Sequence, residues 1–221
     1  MSNIKILVEG PTEILFVNEV LKHHFYERGI YVKPFLFQKS GGVPKYSISQ
    51  KQILYTIRSD PSCFCTTMVD FYGTPTNWPG REQANRCQGC AEKADMVEGG
   101  ILKDIAGHLG NSFNPNRFMP YVQMHEFEAL LFSSPLKLAE SFGDERLSST
   151  FLTIRNEFPT PEEINDKYET CPSHRIEGVF ESFKKTIDGI TAAGRIGLET
   201  MRRECPHFNE WITKLEDIGN Q

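Results

Sequence analysis

The sequence predicts an α/β fold with a mainly parallel four-stranded sheet flanked by helices and a helical C-terminal region. Apolar runs of strand length alternate with helix-period segments through the first 134 residues, as in sheets built from β-α-β crossovers. These runs carry almost no charge, which is typical of strands buried on both faces. We assign residues 1–134 to the α/β domain and 135–221 to a helical region packed on it.

The first strand and helix are predicted from the start of the chain. Residues 4–8 are mostly apolar or β-branched, Gly10 permits a sharp turn, and Pro11 occupies a first helical position. The helix ends near Gly29, and its apolar stripe is formed by Ile14, Val17, Leu21 and Phe25.

Further strands and helices follow in alternation. We predict strands at 30–38, 63–69 and 118–124, with helices at 46–59 and 91–109. The stripe of the helix at 46–59 is formed by Ile48, Ile53, Leu54 and Ile57. Pro120 cannot donate a ladder hydrogen bond, which predicts an edge strand. Residues 74–90, rich in Pro, Gly, Asn and Arg, are predicted to form a surface insertion.

Composition excludes some classes of protein and leaves others open. The chain of 221 residues has no apolar run near the roughly 18 residues of a membrane span. Its first strand leaves no room for a signal peptide, so we expect a cytoplasmic protein with no membrane contact. The formal charge of −5 argues against a broad basic surface. A nuclease of this charge would need divalent cations or a basic partner, but the same charge fits a protein that never binds nucleic acid.

Acidic residues follow three of the predicted strands. Glu9, Asp70 and the pair Glu126 and Glu128 stand at strand ends that share one sheet edge if the strands are parallel. An extended chain would point both Glu126 and Glu128 to one side, whereas a helix starting at His125 would place them about 200° apart. Only one would then face the site, and we favour Glu126 because it is nearer the strand end.

A cluster of carboxylates makes physical sense when a cation neutralises it. Hard oxygen ligands suit Mg²⁺ or Mn²⁺, and two such ions can activate water and stabilise the leaving oxygen of a phosphodiester. Glu13 could join the site or only complement the helix N-terminus. His125 could act as a general base or hydrogen-bond locally.

The cysteines suggest two interpretations. Cys87 and Cys90 form a CxxC pair without a second CxxC in the chain, so zinc binding would need Cys63 and Cys65 to approach in space. Free thiols are the alternative that we favour for a cytosolic protein. Trp78 and Trp211 could stack on bases, but no aromatic and basic interleaving supports this, and we expect His207 to pack in the core.

Several motifs resemble known families. Val8-Glu9-Gly10-Pro11-Thr12-Glu13, with Val69-Asp70 about sixty residues later, resembles the TOPRIM domain of primases, topoisomerases and overcoming-lysogenization-defect (OLD) nucleases. The segments HEFEALLF (125–132), FKKTIDG (183–189) and CPHFNEW (205–211) resemble an uncharacterised bacterial TOPRIM-like family encoded beside ATPases of the SMC or ABC type.

The resemblance implies roles for individual residues. Glu9 would be a metal ligand or general base, and Asp70 the first acid of an Asp-x-Asp pair whose second position is Tyr72 here. Glu126 or Glu128 would then have to supply the missing ligand. Lys185, or Lys184 as second candidate, would stabilise transition-state charge; the alternative is that both are solvated helix lysines. Arg175 could contact phosphate or be an ordinary surface arginine.

Three functions follow as hypotheses. The first is a TOPRIM-like nuclease acting on DNA or RNA with an SMC- or ABC-type ATPase subunit in anti-phage defence, the last role resting on the resemblance alone. The second is a catalytically inactive regulatory or binding subunit, which Tyr72 favours. The third is a phosphatase or nucleotidyl transferase. A homo-oligomer is compatible with each.

Overall fold

The computed structural model of the protein describes residues 2–38, 41–111, 113–164 and 167–220. Its centre is a parallel sheet of β1 (Ser2–Val8), β2 (Ile30–Leu36), β3 (Phe64–Asp70), β4 (Phe118–Met119) and β5 (Val122–Gln123). The strand order is β2-β1-β3-β4, and β5 also pairs with β3. The predicted mainly parallel α/β sheet is therefore confirmed, and so is the edge position of its last strand.

The predicted fourth strand is interrupted at Pro120. Both β4 and β5 pair with β3 in the same register, in which Thr66 is opposite Met119 and Val69 is opposite Val122. Between them, Thr67 Oγ1 accepts a hydrogen bond from Tyr121 N (2.8 Å) and donates to Tyr121 O (2.9 Å). A threonine side chain thus replaces the ladder bonds that proline cannot make.

Helices fill the connections between the strands. The first, α1, is continuous through an α-helical turn Pro11–Phe16, a π-helical turn Val17–Leu21 and a second α-helical part Lys22–Tyr26. It is followed by α2 (Tyr46–Ser59), α3 (Arg81–Ala84) and α4 (Cys90–Leu109). The bounds of α2 match the prediction, but the predicted stripe is wrong at Ile48, whose side chain is half exposed.

The C-terminal region is helical, as predicted. It contains α5 (Pro135–Ser141), α6 (Ser148–Asn156), α7 (Pro172–Val179), α8 (Ile190–Ile196), α9 (Leu198–Glu204) and α10 (Pro206–Asp217). A π-helical turn, Lys185–Gly189, leads into α8. Short 3-10 helices occur at Pro115–Arg117, Phe127–Ser133, Glu145–Leu147, Pro161–Glu163, Tyr168–Thr170 and Ile218–Asn220. The sequence also predicts a short helix at 162–168, of which residues 165 and 166 lie outside the described residues.

Two hydrophobic clusters cover the two faces of the sheet. One joins Ile4, Ile6 and Val8 of β1 to the C-terminal region, including Phe208 and Trp211. Its continuity shows that the C-terminal helices pack directly on the sheet.

None of the helices in the described part of the chain combines the length and apolar composition needed to cross a bilayer.

The second cluster joins the sheet to α2 and α4 and also includes Trp78 and Ala84. The Trp78 indole donates to Pro44 O (2.9 Å) and meets Tyr46 edge-on. The segment at 74–90 is therefore packed more deeply than a surface insertion, and Trp78 has no exposed face for a base.

Candidate functional site

The carboxyl ends of β1 and β3 bring two predicted acids together. Val8 pairs with Met68, so Glu9 and Asp70 leave the same sheet edge. The Asp70 backbone N–H donates to Glu9 Oε2 at 3.3 Å. Asp70 Oδ1 is buried and has no hydrogen-bond partner among the described residues, an arrangement that is costly for a lone carboxylate.

Backbone geometry holds Glu9 and its neighbour Glu13. The Gly10 N–H donates to Glu13 Oε2 at 2.8 Å, closing the first turn of α1. Gly73 lies against Glu9, and a Cβ at Gly73 would stand 3.2 and 3.3 Å from the two Glu9 carboxylate oxygens. A glycine at position 73 therefore leaves just enough room for the Glu9 carboxylate.

Glu126 and Glu128 both face Lys185. Glu126 is extended and caps the 3-10 helix Phe127–Ser133, in which Glu128 is the second residue. Lys185 Nζ lies 3.8 Å from Glu126 Oε1 and 3.4 Å from Glu128 Oε2. The chain turns out of β5 through His125, whose φ of 59° is in the left-handed region. Both glutamates therefore face the same lysine, so the alternative in which a helix starting at His125 turns one of them away is wrong.

Sequence reasoning missed the group that holds Glu126. The backbone N–H of Ser173, at the start of α7, donates to Glu126 Oε2 at 2.9 Å. A helix N-terminus favours a negative charge through its free N–H groups. Pro172 indicates the start of this helix, because proline is common at first helical positions. The sequence does not indicate that the helix start contacts a glutamate 47 residues earlier in the chain.

The acids are close enough to influence one another's pKa values. Burial raises the pKa of Asp70 well above its ordinary value, and Glu9, Glu13, Glu128 and Glu126 raise that pKa further. Burial also raises the pKa of Glu9, with contributions from Glu128 and Glu126 that are opposed by Lys185.

Two carboxyls of the cluster titrate near neutral pH. Burial, followed by repulsion from Glu9, raises the pKa of Glu13 to about 7. Burial likewise raises the pKa of Glu128 to about 7 against the attraction of Lys185. Burial lowers the pKa of Lys185, but the stronger attraction of Glu128, Glu126 and Asp70 leaves it raised. The carboxyls of the cluster, once all ionised, would carry more negative charge than one lysine neutralises.

This raised pKa predicts that Glu128 makes the protein less stable as pH increases. An acid whose pKa rises on folding stabilises the folded state below its unfolded pKa of 4.5, and that contribution is lost as pH passes 7. The free energy of unfolding of the Glu128→Gln variant, relative to that of wild type, should therefore rise by about 3 kcal/mol when the pH is raised from 5 to 8. Urea unfolding without metal at both pH values measures the gain. Glu19→Gln, at an exposed position on α1, should gain almost nothing; an equal gain there would contradict the prediction.

Arg175 and His125 make contacts of a different kind. Arg175 donates to Glu157 Oε2 (3.1 Å) and Thr170 O (2.8 Å), and its guanidinium lies over Phe158. These contacts tie α7 to the segment that follows α6, and the possible phosphate contact of Arg175 stays a prediction. His125 is buried, with Nε2 3.4 Å from Cys90 Sγ and its ring edge-on to Phe71.

The remaining candidates lie in packed surroundings. Cys90 Sγ donates to Glu162 O (2.7 Å), whereas Cys87 Sγ is near Gln83 O. Trp211 is buried and stacks on Tyr121, so it offers no platform for bases. The His207 ring also stacks on Tyr121, and its Nε2 lies 2.9 Å from Glu98 Oε1. Tyr72 is partly exposed, and its N–H donates to His125 O.

Among the described residues, no three His, Cys, Asp or Glu side chains already stand in an arrangement that matches a metal site. Comparison with curated proteins and with solved structures found no match. One family model, described as "Domain of unknown function (DUF4276)", matches residues 8–216. Since that match spans nearly the whole chain, the protein belongs to the DUF4276 family.

Proposed function

We propose that the protein is a divalent-metal-dependent nuclease of TOPRIM-like type that hydrolyses the phosphodiesters of DNA or RNA. The observation that carries the proposal is the convergence of Glu9, Glu13, Asp70, Glu126 and Glu128 around one sheet edge with Lys185. Acids held together at the carboxyl ends of parallel strands mark a ligand site in open α/β folds. Their mutual repulsion would be relieved by a cation.

The donor set fits Mg²⁺ or Mn²⁺. Carboxylate oxygens are the ligands that these hard ions prefer, and the partnerless Asp70 Oδ1 is an oxygen that a cation would satisfy. Glu9, Asp70, Glu126 and Glu128 would hold the metal, which would polarise the phosphodiester and lower the pKa of bound water. Binding would have to draw the carboxylates closer together.

The chain's own residues supply charge and proton transfer. Lys185 is partly exposed, so its ammonium group can reach a phosphate while Glu126 and Glu128 hold it in place; a preorganised cation stabilises developing negative charge. Glu13 is not among the proposed metal ligands, and its pKa of about 7 matches the requirement of a general acid or base that works near neutral pH.

Gly73→Ala is expected to lower the cleavage rate about tenfold by displacing the Glu9 carboxylate, because small misplacements of reacting groups are costly. A Cβ 3.2 Å from Glu9 Oε1 requires a shift of that side chain. Gly107→Ala is the control, since nothing lies within 4 Å of its added Cβ. Steady-state cleavage with both variants measures the effect; equal rates would mean that Glu9 tolerates the crowding.

Incubation of the pure protein with plasmid DNA, single-stranded DNA and RNA in Mg²⁺ or Mn²⁺ tests the proposal directly. We expect cleavage products that EDTA abolishes. A reaction of small phosphoesters in place of polymers would instead support the phosphatase or nucleotidyl transferase hypothesis.

The second candidate is a catalytically inactive TOPRIM-like subunit that regulates or binds an ATPase complex. Tyr72 favours it, because no acid stands two residues after Asp70. Calorimetric titration with Mn²⁺ separates the two functions. Binding that Glu9→Gln abolishes supports the enzyme, whereas no binding by the wild-type protein supports the inactive subunit.

The biological setting that we propose rests on the family resemblance. The protein would be a cytoplasmic effector that acts with an SMC- or ABC-type ATPase subunit in anti-phage defence. Co-expression with a neighbouring ATPase gene, followed by affinity purification, tests this part.

A further inference from the structure

Basic residues are segregated within this acidic chain. Between Glu27 and Asp60, residues 28–59 contain six lysines and arginines and no acid, although the whole chain has a formal charge of −5. This stretch forms the edge strand β2 and the helix α2. An acidic total therefore conceals a basic segment of the chain.

The outer face of α2 presents these charges in one line. Its exposed side carries five residues at helical spacing, which we call the basic stripe: Lys45, Ile48, Lys51, Tyr55 and Arg58. Tyr55 is 73% exposed and Ile48 is 50% exposed, so two large side chains stand in solvent between the cations. At 1.5 Å per residue the stripe is about 20 Å long, the length of about six base pairs of duplex.

The cations of the basic stripe differ in their ion pairing from many other basic residues of the protein. Among the described residues, Lys45, Lys51 and Arg58 form no ion pair with a carboxylate; Arg58 donates only to the backbone oxygen of His108. Many basic residues of the C-terminal region are paired, as Arg202 is with Glu216. The stripe therefore keeps its positive charge for an external anion.

The chain reaches the stripe from the sheet edge that carries the acidic site. The Phe37 N–H donates to Val8 O (3.0 Å), so the chain that leads to α2 leaves the same sheet edge as Glu9. Tyr46 N donates to Asn77 Oδ1 (3.4 Å), in the segment that follows Gly73. A polymer lying along the stripe would therefore approach the edge where the acids converge.

We propose that the basic stripe on α2 binds the phosphate backbone of a nucleic acid and guides it toward the acidic site. The inference deepens the proposed nuclease function and rests on it for the identity of the polymer. Spaced lysines and arginines neutralise phosphates, and an exposed tyrosine between them can stack on an unpaired base. Continuity with an edge suited to phosphodiester chemistry favours nucleic acid over an acidic protein or an anionic membrane.

Fluorescence anisotropy with labelled 30-base-pair DNA, in EDTA and with the full chain, tests the stripe without any dependence on catalysis. The triple variant Lys45→Gln, Lys51→Gln, Arg58→Gln should bind at least about tenfold more weakly, with a shallower salt dependence. The matched control is Lys167→Gln, Arg195→Gln, Lys214→Gln, which removes three exposed charges from the C-terminal region. Tyr55→Ala should weaken binding of oligo-dT about fivefold or more.

Equal DNA affinities for the two triple variants, each with wild-type thermal unfolding, would overturn the proposal. So would loss of binding to phosphatidylserine vesicles or to polyglutamate by the stripe variant while its DNA affinity stayed unchanged. Stripe-dependent binding without any cleavage would count against the proposed hydrolysis alone. Cleavage by wild type combined with equal affinities of the two triples would count against the stripe alone.

Discussion

Asp70→Asn is expected to lower the rate of phosphodiester cleavage in Mg²⁺ or Mn²⁺ by at least about a hundredfold. Asp70 ends β3, and its Oδ1 is buried without a hydrogen-bond partner among the described residues. Asparagine preserves the shape of the side chain but removes the negative charge that a divalent cation requires. Single-turnover cleavage at saturating metal separates a slower chemical step from weaker metal binding.

The same substitution should not unfold the protein. Burial and the surrounding glutamates raise the pKa of Asp70, so its charged form is unfavourable without metal, and a neutral amide removes that repulsion. We expect the metal-free variant to melt at or above the wild-type temperature. Asp95→Asn, at an exposed position on α4, should cleave as wild type does. A cleavage rate for Asp70→Asn within about threefold of wild type would contradict the assigned site.

The strand ends could be predicted because their signal is local. Apolar runs followed by Glu9 and Asp70 specify where each strand stops, and parallel crossovers then bring those stops to one edge. These two local signals are therefore sufficient to bring the acids of two strands to one edge of the sheet, where the Asp70 N–H donates to Glu9. The positions of Glu126 and Glu128 in the cluster depend on the local backbone conformation, which the periodicity of apolar residues does not indicate.

Glu126 and Glu128 illustrate that limit. Whether one or both face the site depends on where the helix begins, and the structure starts a 3-10 helix at Phe127 after the left-handed His125. No pattern of apolar residues specifies a positive φ at a histidine. The burial of Trp78 is similar, because it depends on Pro44 and Tyr46, which are distant in sequence.

Lys185 was predicted from a motif, but its surroundings were not. The π-helical turn Lys185–Gly189 and the following α8 fall in a glycine-containing stretch that gave no clear helical period. Glycine weakens a helical pattern, since it costs about 1 kcal/mol relative to alanine in a helix. Gly189 is buried, and a Cβ added there would contact Leu131 and Phe127, which are distant in sequence.

Lys185→Gln is expected to slow cleavage about 10²- to 10³-fold, the usual effect of losing a preorganised group that stabilises transition-state charge. The adjacent Lys184 is an internal control, because its side chain is exposed and forms no ion pair among the described residues. Lys184→Gln should stay within about twofold of wild type.

Metal binding should move in the opposite direction in the Lys185→Gln variant. In the wild-type protein the Lys185 ammonium lies 3.4 Å from Glu128 and 3.8 Å from Glu126. It therefore competes with a metal cation for these carboxylates and repels that cation. Removing it should tighten Mn²⁺ binding in calorimetry while cleavage falls, because the carboxylates remain and only the transition-state contact is lost. Loss of a purely structural lysine would weaken both Mn²⁺ binding and cleavage. If Mn²⁺ affinity and cleavage fall together, Lys185 holds the acids in position and does not act on the phosphate.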